Sequence, residues 1–188
     1  MILSAAGEAS VAAGERLRLF CAFRLTADAV ASIAAWQCQA LRGGRIVAAE
    51  QLHVTLAFLG SRPATDLTAV AGALREAAGG ADRPRFSVDG YRETRSVAML
   101  TLADEGGRGA AIAGALHRLL EERGLYRAEA RPWLAHVTVL RFRERPRLRP
   151  EPPGLANICP SDASVFLSRL SPRGAEYSVL ESVALGGG

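Results

Sequence analysis

The stretch LHVTL at residues 52–56 returns as AHVTV at residues 135–139. The chain holds three histidines, and these two segments use His53 and His136, 83 positions apart. Both segments read as β-strand, where successive side chains alternate between faces. His53 and Thr55 therefore share one face, with Leu52, Val54, Leu56 and Phe58 on the opposite, buried one. His136 and Thr138 repeat the arrangement over inward-facing Val137 and Val139. One His-x-Thr in a strand is usually plain structure. Two copies in one short chain predict an internal duplication with pseudo-twofold symmetry, which brings both pairs face to face across a cleft.

Working outward, RLRLFCAFRL at residues 16–25 sets Leu17, Leu19, Cys21, Phe23 and Leu25 at period two, a strand. From Thr26 to Arg42 the apolar residues Val30, Ile33, Ala34 and Leu41 follow helical spacing, and Gly43-Gly44 stops the helix. Residues 45–60 read as extended. A second helix is expected over 65–78, with Thr65 as N-cap and Leu67, Val70, Ala71 and Leu74 facing inward. Strands near 86–91 and 97–102 precede a third helix over 108–123, which places Ile112, Leu116, Leu119 and Leu120 on one face. Strands at 133–142, 164–170 and 177–184 complete the series. This order is neither regular βαβ alternation nor all-β. It predicts an α+β fold with mostly antiparallel sheet and helices packed outside. Residues 141–154, RFRERPRLRPEPPG, carry five Arg and four Pro and are read as a long basic loop. Such a loop is usually a solvated connector, and it could contact a polyanionic backbone.

Composition excludes several classes. Of 188 residues, 49% are hydrophobic and 22% charged, enough for a sizeable core and too apolar for disorder. Apolar runs break well before 18 residues, so no membrane span is expected. Residues 1–15 lack a basic n-region and include Glu8, so they are expected to be a disordered tail, as are residues 186–188. Cys21, Cys38 and Cys159 show no CxxC spacing and read as buried thiols in a reducing cytoplasm. All 23 basic residues are Arg. Without Lys there is no Walker A loop, no lysyl-adenylate and no Schiff base. A net charge of +4 suits a polyanionic partner.

Two imidazoles facing one cleft suit phosphodiester chemistry. An in-line displacement at phosphorus needs a base for the attacking water and an acid for the departing ribose oxygen, on opposite sides. Histidine fills either role, with an unperturbed pKa of about 6.5. A Thr two residues on can donate its hydroxyl to non-bridging phosphate oxygens. No carboxylate or Cys lies at ligand spacing within either motif, so neither a metal nor a cofactor is expected.

At these residues the sequence resembles the two-histidine (2H) phosphoesterases, above all the RNA 2′,3′-cyclic phosphodiesterases, also called 2′-5′ RNA ligases. RLFCAFRL (18–25) resembles that family's opening strand and HVTLAFLG (53–60) its first motif. RPWLAHVTVLR (131–141) resembles the second, with Ala135 where Pro is usual, and FLSRLSPRGAEY (166–177) the closing Ser-x(5)-Gly-x-x-Tyr segment. The likeness implies a single bilobal domain over 16–185 whose sheets line a central cleft. It implies metal-independent hydrolysis of an RNA or nucleotide 2′,3′-cyclic phosphate to a 2′-phosphate, with reverse 2′-5′ ligation available in principle, by a monomer. It further implies His53 as acid toward the 3′ oxygen, His136 as base, and Thr55, Thr138 and Arg141 as substrate-binding residues. Strict alternation would turn Arg141 away from His136, so a bulge must redirect it. Two other functions fit these residues: a phosphodiesterase of small nucleotide or ADP-ribose cyclic phosphates, and a non-catalytic module that binds RNA ends. Elsewhere His117 reads as a surface or boundary residue. Trp36, Trp133, Tyr91, Phe58 and Tyr177 read as packing, with Trp133 able to border the cleft.

Overall fold

The period-two pattern at the start of the chain becomes the first strand. Leu17, Leu19, Cys21 and Phe23 enter the main core, while Phe20 and Ala22 on the other face join Phe166 in a second, smaller cluster. The computed structural model describes residues 15–127, 131–171 and 174–186. Its strands are β1 (Arg16–Arg24), β2 (Arg45–Ile46), β3 (His53–Pro63), β4 (Arg85–Glu93), β5 (Val97–Glu105), β6 (His136–Arg141), β7 (Asp162–Ser171) and β8 (Gly174–Ala184). The helices are α1 (Ala27–Ala40), α2 (Leu67–Ala78) and α3 (Arg108–Glu122). The fold is α+β. Every pairing is antiparallel, and the strands form one sheet in the order β4-β5-β6-β3-β1-β7-β8, with β2 alongside β6. The sheet curls into a half-barrel. Its two central strands, β3 and β6, meet through the single pair Val54–Val137, so two lobes join at the midpoints of the two His-x-Thr motifs.

The inward faces of all three helices, through Ile33, Val70, Leu74, Ile112, Leu116 and Leu120, pack into the same core as Val54, Val137 and Leu100 of the sheet. One helix start differs from expectation. Thr65 lies in a 3-10 turn, Ala64–Asp66, and α2 begins at Leu67 without a side-chain cap. Pro63 feeds directly into that turn, and the helical backbone of Asp66 (φ −74°, ψ −16°) leaves no extended residue for a hydroxyl cap. Helix α3 ends at a glycine: Gly124 takes φ +67°, and the Leu125 N–H donates to the Leu120 carbonyl at 2.8 Å. The cysteines also differ from expectation. Only Cys21 is buried, whereas Cys38 is exposed because it follows buried Gln37 by about 100° around α1. At the chain ends, the Glu15 carbonyl accepts from Ala64 and the Gly186 N–H donates to Ala81. The rest of both expected tails lies outside the described residues.

The basic loop after β6 is more than a solvated connector. Glu93, whose side chain is 2% exposed, accepts hydrogen bonds from the Arg145 guanidinium, the backbone N–H groups of Arg147 and Leu148, and the Tyr91 hydroxyl. The Trp36 indole donates to the Glu151 carbonyl. Burial alone would raise the Glu93 pKa, but the donors from Leu148, Arg145, Tyr91 and Arg147 hold it below its ordinary 4.5. A carboxyl depressed on folding stabilises the fold above its unfolded pKa, and that contribution is lost as pH falls through the folded value. Glu93→Ala strands these donors and should cost about 3 kcal/mol in urea unfolding at neutral pH. The variant should also show a weaker loss of stability below pH 4.5 than the parent.

Candidate active site

Antiparallel pairing about Val54–Val137 sets His53 in register with Thr138, and Thr55 with His136. All four side chains leave the sheet on the face opposite the core, where each is half-buried. The two imidazoles are held alike. His53 Nδ1 lies 2.7 Å from the Gln51 carbonyl, and His136 Nδ1 lies 2.8 Å from the Leu134 carbonyl. A carbonyl can only accept, so each Nδ1 carries the proton and each Nε2 is left for a ligand.

Their surroundings differ. His53 sits in an aromatic box, with Phe20 at 4.9 Å, Tyr177 at 5.6 Å and Phe166 at 6.2 Å between ring centroids. Burial in this box lowers its pKa to about 4; the Gln51 carbonyl opposes the shift, while His136 and Arg141 add to it. The unfolded chain therefore binds a proton at His53 near 6.5 that the folded one refuses until about 4. That difference erodes stability as pH falls through this window. His136, at the first residue of β6, stands beside the cavity rather than on its lining.

That cavity, about 470 Å³, is walled by His53, Thr55 and Thr138 together with Phe58, Arg141, Arg18, Arg45, Ser168 and Tyr177. Among the described residues, three arginines and no carboxylate line it, so its field favours an anion.

Phe58 and Arg141 reach the cavity by the same device. Along β3, Ala22 pairs with Thr55 and Cys21 with Ala57, leaving Leu56 as an extra residue. Along β6, Met99 pairs with Thr138 and Ala98 with Leu140, leaving Val139 extra. Each bulge follows the motif Thr directly and breaks the alternation, so two successive residues are buried: Leu56 and Ala57 in one lobe, Val139 and Leu140 in the other. The next side chain then turns back to the cleft. For Arg141 this supplies the redirection that strict alternation lacked. For Phe58 it is a correction: expected on the buried face, the ring is 50% exposed in the cavity wall, with the Arg18 guanidinium 4.7 Å from its centroid. A signal for Phe58 was present, since it follows His53 by five positions as Arg141 follows His136. Arg18 and Arg45 carried no such mark. Trp133 packs on Phe86 and donates to the Thr55 carbonyl at 2.9 Å, tying the lead-in of β6 to β3. His117 lies at the boundary, half-buried against Tyr126, and its Nε2 is 2.8 Å from the Leu56 carbonyl. Among the described residues, no group of three or more His, Cys, Asp or Glu side chains is arranged to hold a metal. No described helix is long and apolar enough to cross a membrane.

A curled antiparallel sheet whose two central strands each carry His-x-Thr, centred on the Val54–Val137 pair, defines the 2H phosphoesterase class. Within it, the family model of the 2'-5' RNA ligase superfamily matches residues 26–158, and the chain belongs to that superfamily. Among solved structures it is similar to E. coli LigT complexed with 3'-AMP, at 23% identity and a TM-score of 0.79, covering 91% of this chain and 99% of that one. It is also similar to TT0787 of Thermus thermophilus, at 28% identity and a TM-score of 0.76, covering 90% and 98%. The phosphodiesterase domain of MHV ns2 shares the fold at 16% identity and a TM-score of 0.51, covering 87% and 99%. No curated protein matches the chain.

Proposed function

We propose that the protein hydrolyses RNA 2′,3′-cyclic phosphate ends to 2′-phosphates, without a metal or other cofactor. The observation that carries this reading is the mirrored placement of two His-x-Thr pairs on the central strands, each Nδ1 bound to a backbone carbonyl and each Nε2 open. Water attacks phosphorus as one imidazole takes its proton; the P–O3′ bond breaks and the other imidazole protonates O3′. The resemblance to the family assigns the acid to His53 and the base to His136. Before substrate binds, the aromatic box keeps His53 neutral at neutral pH. An anionic phosphate favours its charged form, so substrate binding and proton uptake there are coupled. The Thr55 and Thr138 hydroxyls and the Arg141 guanidinium donate to the non-bridging oxygens. Phe58 offers an apolar ring to the adjoining base, and Arg18 and Arg45 extend the positive wall toward the rest of the chain. The same groups support 2′-5′ joining when a 5′-hydroxyl replaces water as the nucleophile: the base takes its proton, P–O5′ forms, and P–O3′ breaks with O3′ protonated as before.

Two measurements test this reading. The first compares kcat/KM on a cyclic-phosphate oligonucleotide, on cyclic mononucleotides and on a cyclic phosphate of ADP-ribose. The oligonucleotide should be preferred. A preference for either small ligand selects the nucleotide reading, and binding of the oligonucleotide without turnover selects the RNA-end-binding module. The second is a pH profile. The acidic limb of kcat/KM should lie near pH 4, well below the ordinary imidazole range. Phe166→Ala opens the box around His53 and should move that limb upward toward 6.5. An unmoved limb in a folded variant would show that His53 does not set it.

A further inference from the structure

A bulge interrupts the ladder and leaves backbone groups to be satisfied by something other than the neighbouring strand. Here both bulges are met in the same way, by a side chain reaching in from the helix layer. In the β6 lobe, Gln37 of α1 is 1% exposed, and its amide nitrogen donates to the carbonyl of the extra residue Val139 at 2.7 Å and to that of Val47 at 3.1 Å. The Val47 N–H reaches the same Val139 oxygen at 3.1 Å. In the β3 lobe, His117 of α3 brings Nε2 to within 2.8 Å of the carbonyl of the extra residue Leu56. Two different residue types, on two different helices, α1 and α3, thus grip the carbonyl oxygen of the extra residue in each bulge. Random helix-to-sheet contact would not repeat in that way.

The consequence falls two residues further on. Whatever fixes the bulge peptide also fixes the direction of the next cleft-facing side chain, Arg141 in one lobe and Phe58 in the other. A misorientation of about 10–20° is enough to lose a productive geometry. We propose that Gln37 and His117 are positioning residues, Gln37 holding Arg141 in the cleft through Val139 and His117 holding Phe58 there through Leu56. Neither touches substrate. The kinetic part of this proposal rests on the phosphodiesterase reading; the geometric part does not.

The test uses Gln37→Met and His117→Leu, which keep bulk and remove the donor, and His117→Gln, which restores one. In crystal structures, Arg141 should leave its parental position in Gln37→Met and Phe58 in His117→Leu, while His117→Gln keeps the parental arrangement. On a cyclic-phosphate oligonucleotide, Gln37→Met should lower kcat by about 10–100-fold. His117→Leu should act mainly on KM, and His117→Gln should be close to the parent. Adding Arg141→Ala to Gln37→Met should cost little beyond Arg141→Ala alone, whereas adding Phe58→Ala should multiply. A role confined to stability would lower the unfolding temperature without this pairing. If Gln37→Met does not fold, the half-buried His117 pair carries the same comparison at Phe58. Unmoved Arg141 and Phe58 side chains, or effects that multiply within each pair, would overturn the proposal. A parental protein without turnover would defeat the phosphodiesterase reading alone, and the crystal structures would still decide the positioning claim.

Discussion

Alanine at His136 should lower kcat/KM on a 2′,3′-cyclic-phosphate oligonucleotide by about 10²–10⁴-fold, the usual worth of one positioned proton-transfer group. The side chain is half-exposed at the first residue of β6, so the variant should unfold at nearly the parental temperature. His53→Ala should cost a similar factor. The double variant should fall far short of the product of the two losses, because acid and base serve a single displacement. Thr55→Ala and Thr138→Ala each remove one neutral donor to the phosphate and should cost less than either histidine change. A folded His136→Ala protein turning over at the parental rate would remove the second motif from the mechanism.

Arg141→Met should lower kcat/KM by about 10²–10³-fold, the range seen when one charge-stabilising donor is lost from a site built around a developing anion. The change preserves the apolar stem and removes only the guanidinium. Arg141→Lys should recover little of the loss, because an ammonium cannot reproduce the planar two-point grip on phosphate oxygens. The effect should fall on kcat as well as KM, since charge at phosphorus is greatest in the transition state. If instead KM alone rose, Arg141 would be a binding residue of the ground state. Arg18 and Arg45, further along the same wall, should behave in that second way, with losses that shrink as salt is raised.

Much of this was legible in the sequence, because the features that decide the fold are local and periodic. The alternation Leu17, Leu19, Cys21, Phe23 and the helical spacing of Ile112, Leu116 and Leu120 each record which face meets the core, and the structure buries those residues. The repeated His-Val-Thr pointed to a duplication, although not to its two strands lying side by side and meeting at the single pair Val54–Val137. What stayed hidden depends on register between distant segments. Phe58 reads as buried under strict alternation, and only the extra residue at Leu56, visible in the pairing with β1, turns it to the cleft. Thr65 looked like a cap because it precedes an apolar helical pattern, but the backbone set by Pro63 moved the helix start to Leu67. Glu93 gave no local sign of burial: apart from Tyr91, its partners lie 52 to 55 positions away, in the loop its carboxylate pins. The aromatic box likewise gathers Phe20, His53, Phe166 and Tyr177 from four strands, so the depressed pKa of His53 could not be read from its neighbours in sequence.

The central claim is tested most directly by incubating the protein with a short RNA ending in a 2′,3′-cyclic phosphate, in EDTA, and resolving the product isomers. Two imidazoles acting across P–O3′ should convert the end to a 2′-phosphate at an undiminished rate, since both proton transfers are assigned to side chains of this chain. An unchanged cyclic end, a 3′-phosphate product, or a rate that vanishes in EDTA and returns with a divalent cation would contradict it.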